Sequence, residues 1–124
     1  MTASAAGLLT QIGSLPYTAT KAAAVAIAEW LSITFGEEGL KVSCVCPQAV
    51  RTGMTAGGPG VAGIDGMLEP EQVANETLSA LADGRFLVLP HREVLKYLQR
   101  KTGDYDRWIK GMQRLQRRVI TANL

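Results

Sequence analysis

Residues 40–46, LKVSCVC, constrain the fold of this chain more than any other stretch. Apolar side chains fall on both faces of the strand that this run predicts, which is typical of a parallel sheet covered by helices on both sides. Pro47 ends the strand, and the apolar run at residues 85–90 predicts a second short strand. The expected fold class is therefore α/β.

The segment before this strand predicts a long helix. It begins at Pro16 or Tyr17 and ends near Phe35, because Gly36 and Gly39 follow. Its interior is rich in alanine and almost uncharged, so we expect the helix to be covered on more than one side.

Three polar side chains near the start of this helix could act together. Tyr17 and Lys21 are one helical turn apart and point the same way, and Ser4 precedes the tyrosine across a turn region. A free tyrosine has a pKa near ~10, and an ammonium at about 4 Å lowers it by about three units at an effective dielectric near ~20. Such a phenol can exchange a proton with a substrate, while a serine hydroxyl holds the same substrate oxygen.

The Tyr-x-x-x-Lys spacing is weak evidence by itself, because Tyr97 and Lys101 repeat it. The position that would hold the matching serine is Gly84, so this second pair is interpreted as helix packing. For Tyr17 and Lys21 the alternative is an aromatic residue at a helix start beside a solvated lysine.

With the later segment Pro47-Gln48-Ala49-Val50-Arg51-Thr52, the order of Ser4, Tyr17 and Lys21 resembles the second half of a short-chain dehydrogenase/reductase. The resemblance extends over residues 1 to about 90. It implies the C-terminal part of a Rossmann-type, doubly wound parallel sheet without its N-terminal dinucleotide-binding half. It also implies hydride transfer between a nicotinamide and a small, apolar alcohol or carbonyl compound.

The resemblance assigns roles to individual residues. Tyr17 would donate and accept the proton, Lys21 would lower the pKa of Tyr17 and hold the nicotinamide ribose, and Ser4 would hold the reacting oxygen. Val50, by its backbone, and Thr52, by its hydroxyl, would contact the carboxamide. The cofactor-binding set implied in this way is Tyr17, Lys21, Pro47, Gln48, Ala49, Val50 and Thr52.

Two features of the sequence depart from the family pattern. Gln48 stands where the family usually has glycine, and it could crowd the nicotinamide side or alter a turn that glycine makes easy. The glycine-rich turn that receives the cofactor pyrophosphate is not found, and neither is the residue that selects NAD or NADP. We therefore make no choice between the two cofactors.

The resemblance places Met1 at the end of an expected fifth strand. We expect a fragment, a truncated product or a piece that lacks its partner chain, marginally stable and inactive alone. The strand at 40–46 would then keep an unpaired edge, which favours a homo-oligomer or pairing with another chain. The helix at 16–35 would also lose neighbours on at least one side. A non-enzymatic truncated product that pairs with a longer relative is the competing hypothesis. The reading frame upstream of Met1 would show whether this chain is a cut piece of a complete enzyme.

Residues 51–68 contain six glycines and one proline, which predicts a long mobile loop without regular structure. It is interpreted either as a linker or as a lid over substrate and cofactor. The next helix begins at Glu69-Pro70-Glu71 and ends near residues 83–84. Apolar residues expected to form a pocket wall are Leu9, Met54, Val61, Ile64, Met67 and Leu68.

Charge divides the chain into residues 1–90, a partial Rossmann-type catalytic half, and residues 91–124, a basic amphipathic helical extension. The first part has four basic and eight acidic side chains, and the second has nine basic and three acidic. The extension predicts two helical pieces broken near Gly103, docked on the body or on a neighbouring subunit. Binding to nucleic acid or to an acidic surface is a weaker alternative. His91 is expected to be a structural residue at a helix start or on the surface.

Cys44 and Cys46 share one strand face, which suits a disulfide poorly, and no nearby histidine or third cysteine completes a metal site. Buried reduced thiols indicate a cytoplasmic protein. No signal peptide and no apolar run of about 20 residues is found, so we expect no membrane span.

Overall fold

The computed structural model describes residues 1–122. Seven helices and strands follow one another along this part of the chain. They are α1 (Ala6–Leu9), α2 (Leu15–Phe35), β1 (Cys44–Val45), α3 (Pro70–Asp83), β2 (Leu87–Val88), α4 (Glu93–Gly103) and α5 (Tyr105–Ala122).

The strands form a small parallel sheet with β1 at its centre. Val45 of β1 pairs with Val88 of β2 on one side and forms a parallel bridge with Thr2 on the other. The Ala5 N–H donates to the Pro47 carbonyl at 2.9 Å, which extends the pairing beyond the bridge. The parallel sheet predicted from residues 40–46 is confirmed, although only two of those residues form regular strand. The expectation of an unpaired edge beside this strand is wrong, because residues 1–5 pair along that edge.

Helices cover both faces of β1. On one face Cys44 lies in an apolar cluster with Val25 and Ala28 of α2. On the other face Val45 clusters with Ala80 of α3. Because consecutive strand residues point to opposite faces, apolar side chains at both positions require a helix on each side, as the sequence predicts.

Helix α2 has the predicted boundaries. The Ser14 hydroxyl accepts a hydrogen bond from the Tyr17 N–H, Pro16 lies in the first turn, and Gly36 follows the last residue. Each of these residues acts within one turn of the helix end where it lies, which is why the sequence alone locates the helix.

Within the part of the chain that the structure describes, α2 is covered on one side only, which agrees with the expectation that this helix lacks neighbours on at least one side. Val25 and Ala28 are buried, but Ile27, Trp30 and Ile33 are 51%, 59% and 82% exposed. The sequence of α2 suits neighbours on several sides, whereas residues 1–122 cover one side only.

The glycine-rich loop at 51–68 contains short 3-10 helices at Gly53–Thr55 and Gly60–Gly63, so the expectation of no regular structure is wrong there. The two ends of the loop are hydrogen-bonded to each other, because the Arg51 N–H donates to the Leu68 carbonyl at 2.9 Å. The loop therefore begins and ends beside the same edge of the sheet.

The remaining helices follow the predicted signals. Helix α3 ends at Gly84, whose φ of +69° is the left-handed cap that glycine adopts easily. The break between α4 and α5 falls at Asp104, whose Oδ1 accepts from the Arg107 N–H at 2.9 Å. Val94 of α4 is buried against Ala5, so the extension contacts the body.

No helix within residues 1–122 is both long enough and apolar enough to span a bilayer.

Candidate active site

The candidate site lies where the three parallel segments end. Ser4 follows the bridge at Thr2, Pro47 follows β1, and His91 follows β2. The Ser4 Oγ accepts from the Ala6 N–H at 3.1 Å and donates to the Pro47 carbonyl at 3.5 Å. Ligands of open α/β sheets bind at the carboxyl ends of the strands, so this edge is where a reaction would take place.

A glycine lets the serine loop approach α2 closely. A Cβ added to Gly7 of α1 would lie 2.5 Å from the Lys21 carbonyl oxygen, closer than real Cβ atoms come. Helix α1 therefore rests on the helical turn of α2 that carries Lys21. This contact brings the segment after Ser4 against the segment with the tyrosine and lysine.

Tyr17 and Lys21 are both half-buried on α2. The Lys21 Nζ lies 5.6 Å from the centroid of the Tyr17 ring, so the two side chains share one face.

The cavity that contains Ser4 does not include the tyrosine. Ser4 lines an apolar cavity of about 260 Å³, whereas Tyr17 and Lys21 are not among its lining residues. The structure thus joins Ser4 to Pro47 and Tyr17 to Lys21, and connects the two pairs through the contact between α1 and α2.

Two buried thiols lie beneath the site. Burial, together with the neighbouring Cys44, raises the pKa of the Cys46 thiol to about 12, against the opposing effects of the Ser4 backbone and the Lys21 charge. The sulfur atoms of Cys44 and Cys46 are 3.9 Å apart, and both thiols are free. The prediction of buried, reduced cysteines is confirmed, and the raised pKa of Cys46 keeps its thiol protonated and unreactive as a nucleophile.

The segment after β1 presents the predicted cofactor-binding positions. Ala49 is buried, and its N–H donates to the Ala62 carbonyl at 3.1 Å. The Val50 carbonyl accepts from the Thr55 hydroxyl at 2.7 Å, while the Val50 N–H finds no acceptor between residues 1 and 122. Thr52 is exposed. A backbone donor and a hydroxyl are thus available at this edge.

Gln48 does not need the conformational freedom of glycine. Thr10 is the one non-glycine residue with positive φ in the described chain, so Gln48 adopts a backbone conformation that residues other than glycine also adopt. The Gln48 side chain lines the cavity with Ser4, and its Oε1 is buried without a partner. The N–H of Gln48 donates to His91 Nδ1 at 3.0 Å.

The apolar cavity confirms part of the expected wall. Leu9, Val61 and Ile64 line it, but Met54 is 84% exposed and does not. Of the other expected wall residues, Met67 and Leu68 are also not among the lining residues. Helix α5 also contributes to this wall, although the expected set contains none of its residues; the amphipathic spacing of the helix was the available signal. The cavity residues from this helix are Trp108, Met112 and Leu115.

One residue of the cavity wall is strained. Thr10 has a φ of +74°, which is rare for a β-branched residue and costs about 1–3 kcal/mol. It also ends α1, so the strain lies between the serine segment and the start of α2. The sequence contains no signal for such a conformation.

Buried and half-buried polar groups connect α4 and the segment before it to the rest of the described chain. His91 is only 3% exposed, so the expectation of a surface position is wrong. Burial lowers its pKa, although Glu93 and Asp65 act in the opposite direction. The Tyr97 hydroxyl donates to Asp65 Oδ1 at 2.9 Å, and Lys101 Nζ donates to the Leu8 carbonyl. These contacts agree with helix packing as the role of the second Tyr-x-x-x-Lys pair.

Within residues 1–122, no group of three or more His, Cys, Asp or Glu side chains is arranged to hold a metal ion.

Comparisons with known proteins show which proteins this chain is similar to. A family model described as short chain dehydrogenase matches residues 1–58. The chain is 38% identical over 58 residues to a meso-2,3-butanediol dehydrogenase of Serratia marcescens, a match that covers 47% of this chain and 23% of that protein. It is 39% identical over 57 residues to a (21S)-21-acetoxyl-apo-melianone synthase SDR of Melia azedarach, covering 46% of this chain and 21% of that protein.

A longer match reaches into the helical extension. The chain is 32% identical over 110 residues to a 1-deoxy-11-beta-hydroxypentalenate dehydrogenase of Streptomyces exfoliatus, covering 87% of this chain and 40% of that protein. The chain therefore spans between about a fifth and two fifths of the length of these relatives. The match over residues 1–58 includes Ser4, Tyr17, Lys21 and the segment after β1, and through it this part of the chain is similar to the short-chain dehydrogenase/reductase family.

Proposed function

We propose that this chain supplies the catalytic half of an NAD(P)-dependent oxidoreductase, which transfers hydride between a nicotinamide and an alcohol or carbonyl compound. The observation that carries the proposal is the close contact at Gly7. It holds the segment that follows Ser4 against the turn of α2 that bears Tyr17 and Lys21. All these residues lie in the segment that the family model matches.

Each side chain has a distinct part in this proposal. The Tyr17 phenol passes the proton to the carbonyl oxygen, or takes it from the alcohol, and the Lys21 ammonium stabilises the phenolate. The Ser4 hydroxyl donates to the reacting oxygen as negative charge develops on it. Since Ser4 Oγ donates to the Pro47 carbonyl over a long 3.5 Å, exchanging that bond for the substrate costs little.

The segment after β1 fits the amide end of a nicotinamide cofactor. The Val50 N–H, which has no acceptor in the described part of the chain, donates to the carboxamide, and the exposed Thr52 hydroxyl binds it as well. Pro47, Gln48 and Ala49 shape the surface beside it. When bound, NAD or NADP supplies or accepts the hydride, and the 124 residues offer no group that selects between the two.

The substrate is a small, largely apolar alcohol or carbonyl compound. The cavity that contains Ser4 is walled by Leu9, Val61, Ile64 and the apolar face of α5. Two of the relatives are named as dehydrogenases of a diol and of a hydroxylated compound. Loop 51–68 supplies part of this wall, which supports its role as a lid rather than a linker.

A second function is favoured by the exposed face of α2. Ile27, Trp30 and Ile33 form an apolar surface that a second chain could cover. In this alternative the chain pairs with a longer relative and performs no chemistry itself. A monomer stable in sedimentation experiments would exclude it.

A chimera tests the catalytic proposal. Residues 1–58 replace the matching 58 residues of the Serratia meso-2,3-butanediol dehydrogenase, and oxidation of butanediol is measured. We expect the chimera to be active and Tyr17→Phe to lower kcat about 100-fold or more, because the proton-transfer group is removed. Lys21→Gln is expected to cause a comparable loss.

Lys41→Gln is the matched control, since Lys41 is an exposed lysine of the same segment. It should leave kcat unchanged. An active chimera in which Tyr17→Phe behaves like Lys41→Gln would show that this tyrosine is not the proton-transfer group.

A further inference from the structure

The helical extension contains a second concavity, which we call the basic groove. It lies at the junction of α4 and α5 and has a volume of about 580 Å³. It is lined by Arg100, Gly103, Asp104, Arg107, Trp108, Gly111, Met112 and Arg114.

Three guanidinium groups line this groove against a single carboxylate. Arg100, Arg107 and Arg114 are all exposed, and none lies within 4 Å of a carboxylate oxygen in residues 1–122. The lone acid, Asp104, accepts the Arg107 backbone N–H through its Oδ1. The groove is therefore positively charged and has guanidinium donors available for an anion.

The basic groove adjoins the apolar cavity. Arg100, Trp108 and Met112 line both, so the two concavities share a wall. The Arg100 guanidinium also lies 6.0 Å from the centroid of the Tyr97 ring, which belongs to the cavity wall. Arg100 therefore faces a ligand in the apolar cavity as well as one in the basic groove, where Arg107 and Arg114 also lie.

We propose that the site takes amphiphilic anions, compounds with an apolar body that fills the cavity and an anionic head group that binds in the basic groove. This inference rests on the proposed function, of which it names the substrate class. An apolar wall buries the body, while charge-assisted hydrogen bonds from Arg100 and Arg107 fix the head. Both carboxylates and phosphate esters have the required head-group chemistry.

Binding is measurable without cofactor or turnover. The chain has two tryptophans, and one of them, Trp108, lines both concavities. In Trp30→Phe, the fluorescence of the remaining Trp108 reports occupancy directly. The probes are decanoate, decyl phosphate and decanol, each titrated below its aggregation concentration at low and at high salt.

We expect both anions to bind at least tenfold more tightly than decanol at low salt, and this advantage to shrink as salt rises. Arg100→Gln and Arg107→Gln, in the Trp30→Phe background, should each weaken anion binding roughly three- to tenfold. Arg107→Gln should leave decanol binding unchanged, because Arg107 does not line the apolar cavity. Arg100→Lys should keep part of the advantage because it keeps the charge.

Arg92→Gln is the control, because Arg92 is an exposed arginine of the same helical extension but lines neither concavity. Equal binding of decanol and the anions, or an equal loss in Arg92→Gln and Arg100→Gln, would overturn the inference. Tighter binding of decanoate than of decyl phosphate, or the reverse, identifies which head group the site takes. The measurement is separate from the chimera, which lacks α4 and α5, so either proposal can fail while the other stands.

Discussion

The lack of a side chain at Gly7 determines how closely the segment after Ser4 approaches the helix that carries Tyr17. A Cβ added to Gly7 would lie 2.5 Å from the Lys21 carbonyl oxygen. Because that oxygen belongs to the backbone of a long helix, it cannot move aside as a flexible side chain would. The spacing between α1 and α2, and with it the position of Ser4, depends on this residue.

We predict that Gly7→Ala lowers the free energy of unfolding by about 1–3 kcal/mol, because the added methyl group overpacks the contact between α1 and α2. Denaturant titration monitored by circular dichroism measures the change. Gly57→Ala is the control, since a Cβ at Gly57 meets no atom within 4 Å and its φ is not positive. If the two substitutions cost the same, the close approach of the helices is not what Gly7 provides.

The buried imidazole of His91 makes stability depend on pH. Burial lowers the pKa of His91 in the folded chain below its ordinary value near ~6.5. As pH falls from 7 to 5, the unfolded chain takes up a proton that the folded chain binds less readily. The free energy of unfolding therefore falls over this range.

His91→Asn should make this pH dependence shallower. Its side-chain oxygen can still accept from the Gln48 N–H, as Nδ1 does at 3.0 Å, but it does not titrate. Chemical denaturation of both proteins at pH 7, 6 and 5 provides the comparison. Parallel curves for the two proteins would mean that another group causes the acid sensitivity.

At the scale of residues, the sequence predicts pairs set by helical spacing and misses what depends on distant parts of the chain. Tyr17 and Lys21 share a face because both lie on one helix. The positive φ of Thr10 and the burial of His91 arise from packing between elements far apart in the sequence, and no local pattern indicates them.

At the scale of elements, helix ends were predictable and helix environments were not. Ser14 and Gly84 act within one turn of their own helix, so local chemistry determines both ends. The coverage of α2 depends on partners outside the helix. Its apolar composition was recognised, but in residues 1–122 Trp30 and Ile33 remain exposed.

That exposed face leads to a prediction about association. Ile33→Lys should weaken self-association of the chain about tenfold, equivalent to about 1.4 kcal/mol, because it introduces a charge into an apolar contact. Sedimentation velocity over a range of protein concentrations measures the effect. Leu95→Lys is a matched control, as Leu95 is 48% exposed on α4, away from this face. An equal effect of both substitutions, or none of either, would exclude the α2 face as the interface.

At the scale of the whole molecule, two strand pairings support the entire sheet. Thr2 and Val88 flank Val45, and the three parallel segments end together at the candidate site. The α/β class followed from apolar side chains on both faces of one strand. The arrangement of the extension could not be predicted from its sequence, because an amphipathic basic helix is compatible with several partners. Only the packing of α5 over the cavity distinguishes them.

The same arrangement predicts weak binding of the cofactor by the chain alone. Between residues 1 and 122, the proposed contacts hold only the nicotinamide end, through Val50, Thr52 and the residues of α2. The 124 residues contain no glycine-rich turn between a strand and a helix for the pyrophosphate. Association costs about 4–15 kcal/mol in lost freedom of motion before any contact contributes, and these few contacts do not exceed it by much.

We therefore expect no saturable binding when NAD(H) or NADP(H) is titrated into the chain in a calorimeter. The butanediol dehydrogenase chimera, which retains the other parts of that enzyme, should bind its cofactor in the same assay and thus shows that the conditions are adequate. Micromolar affinity for the chain alone would mean that the contacts at the carboxyl ends of these few strands hold the cofactor without a pyrophosphate site. Val50→Pro, which removes the free backbone donor, would then have to weaken that binding.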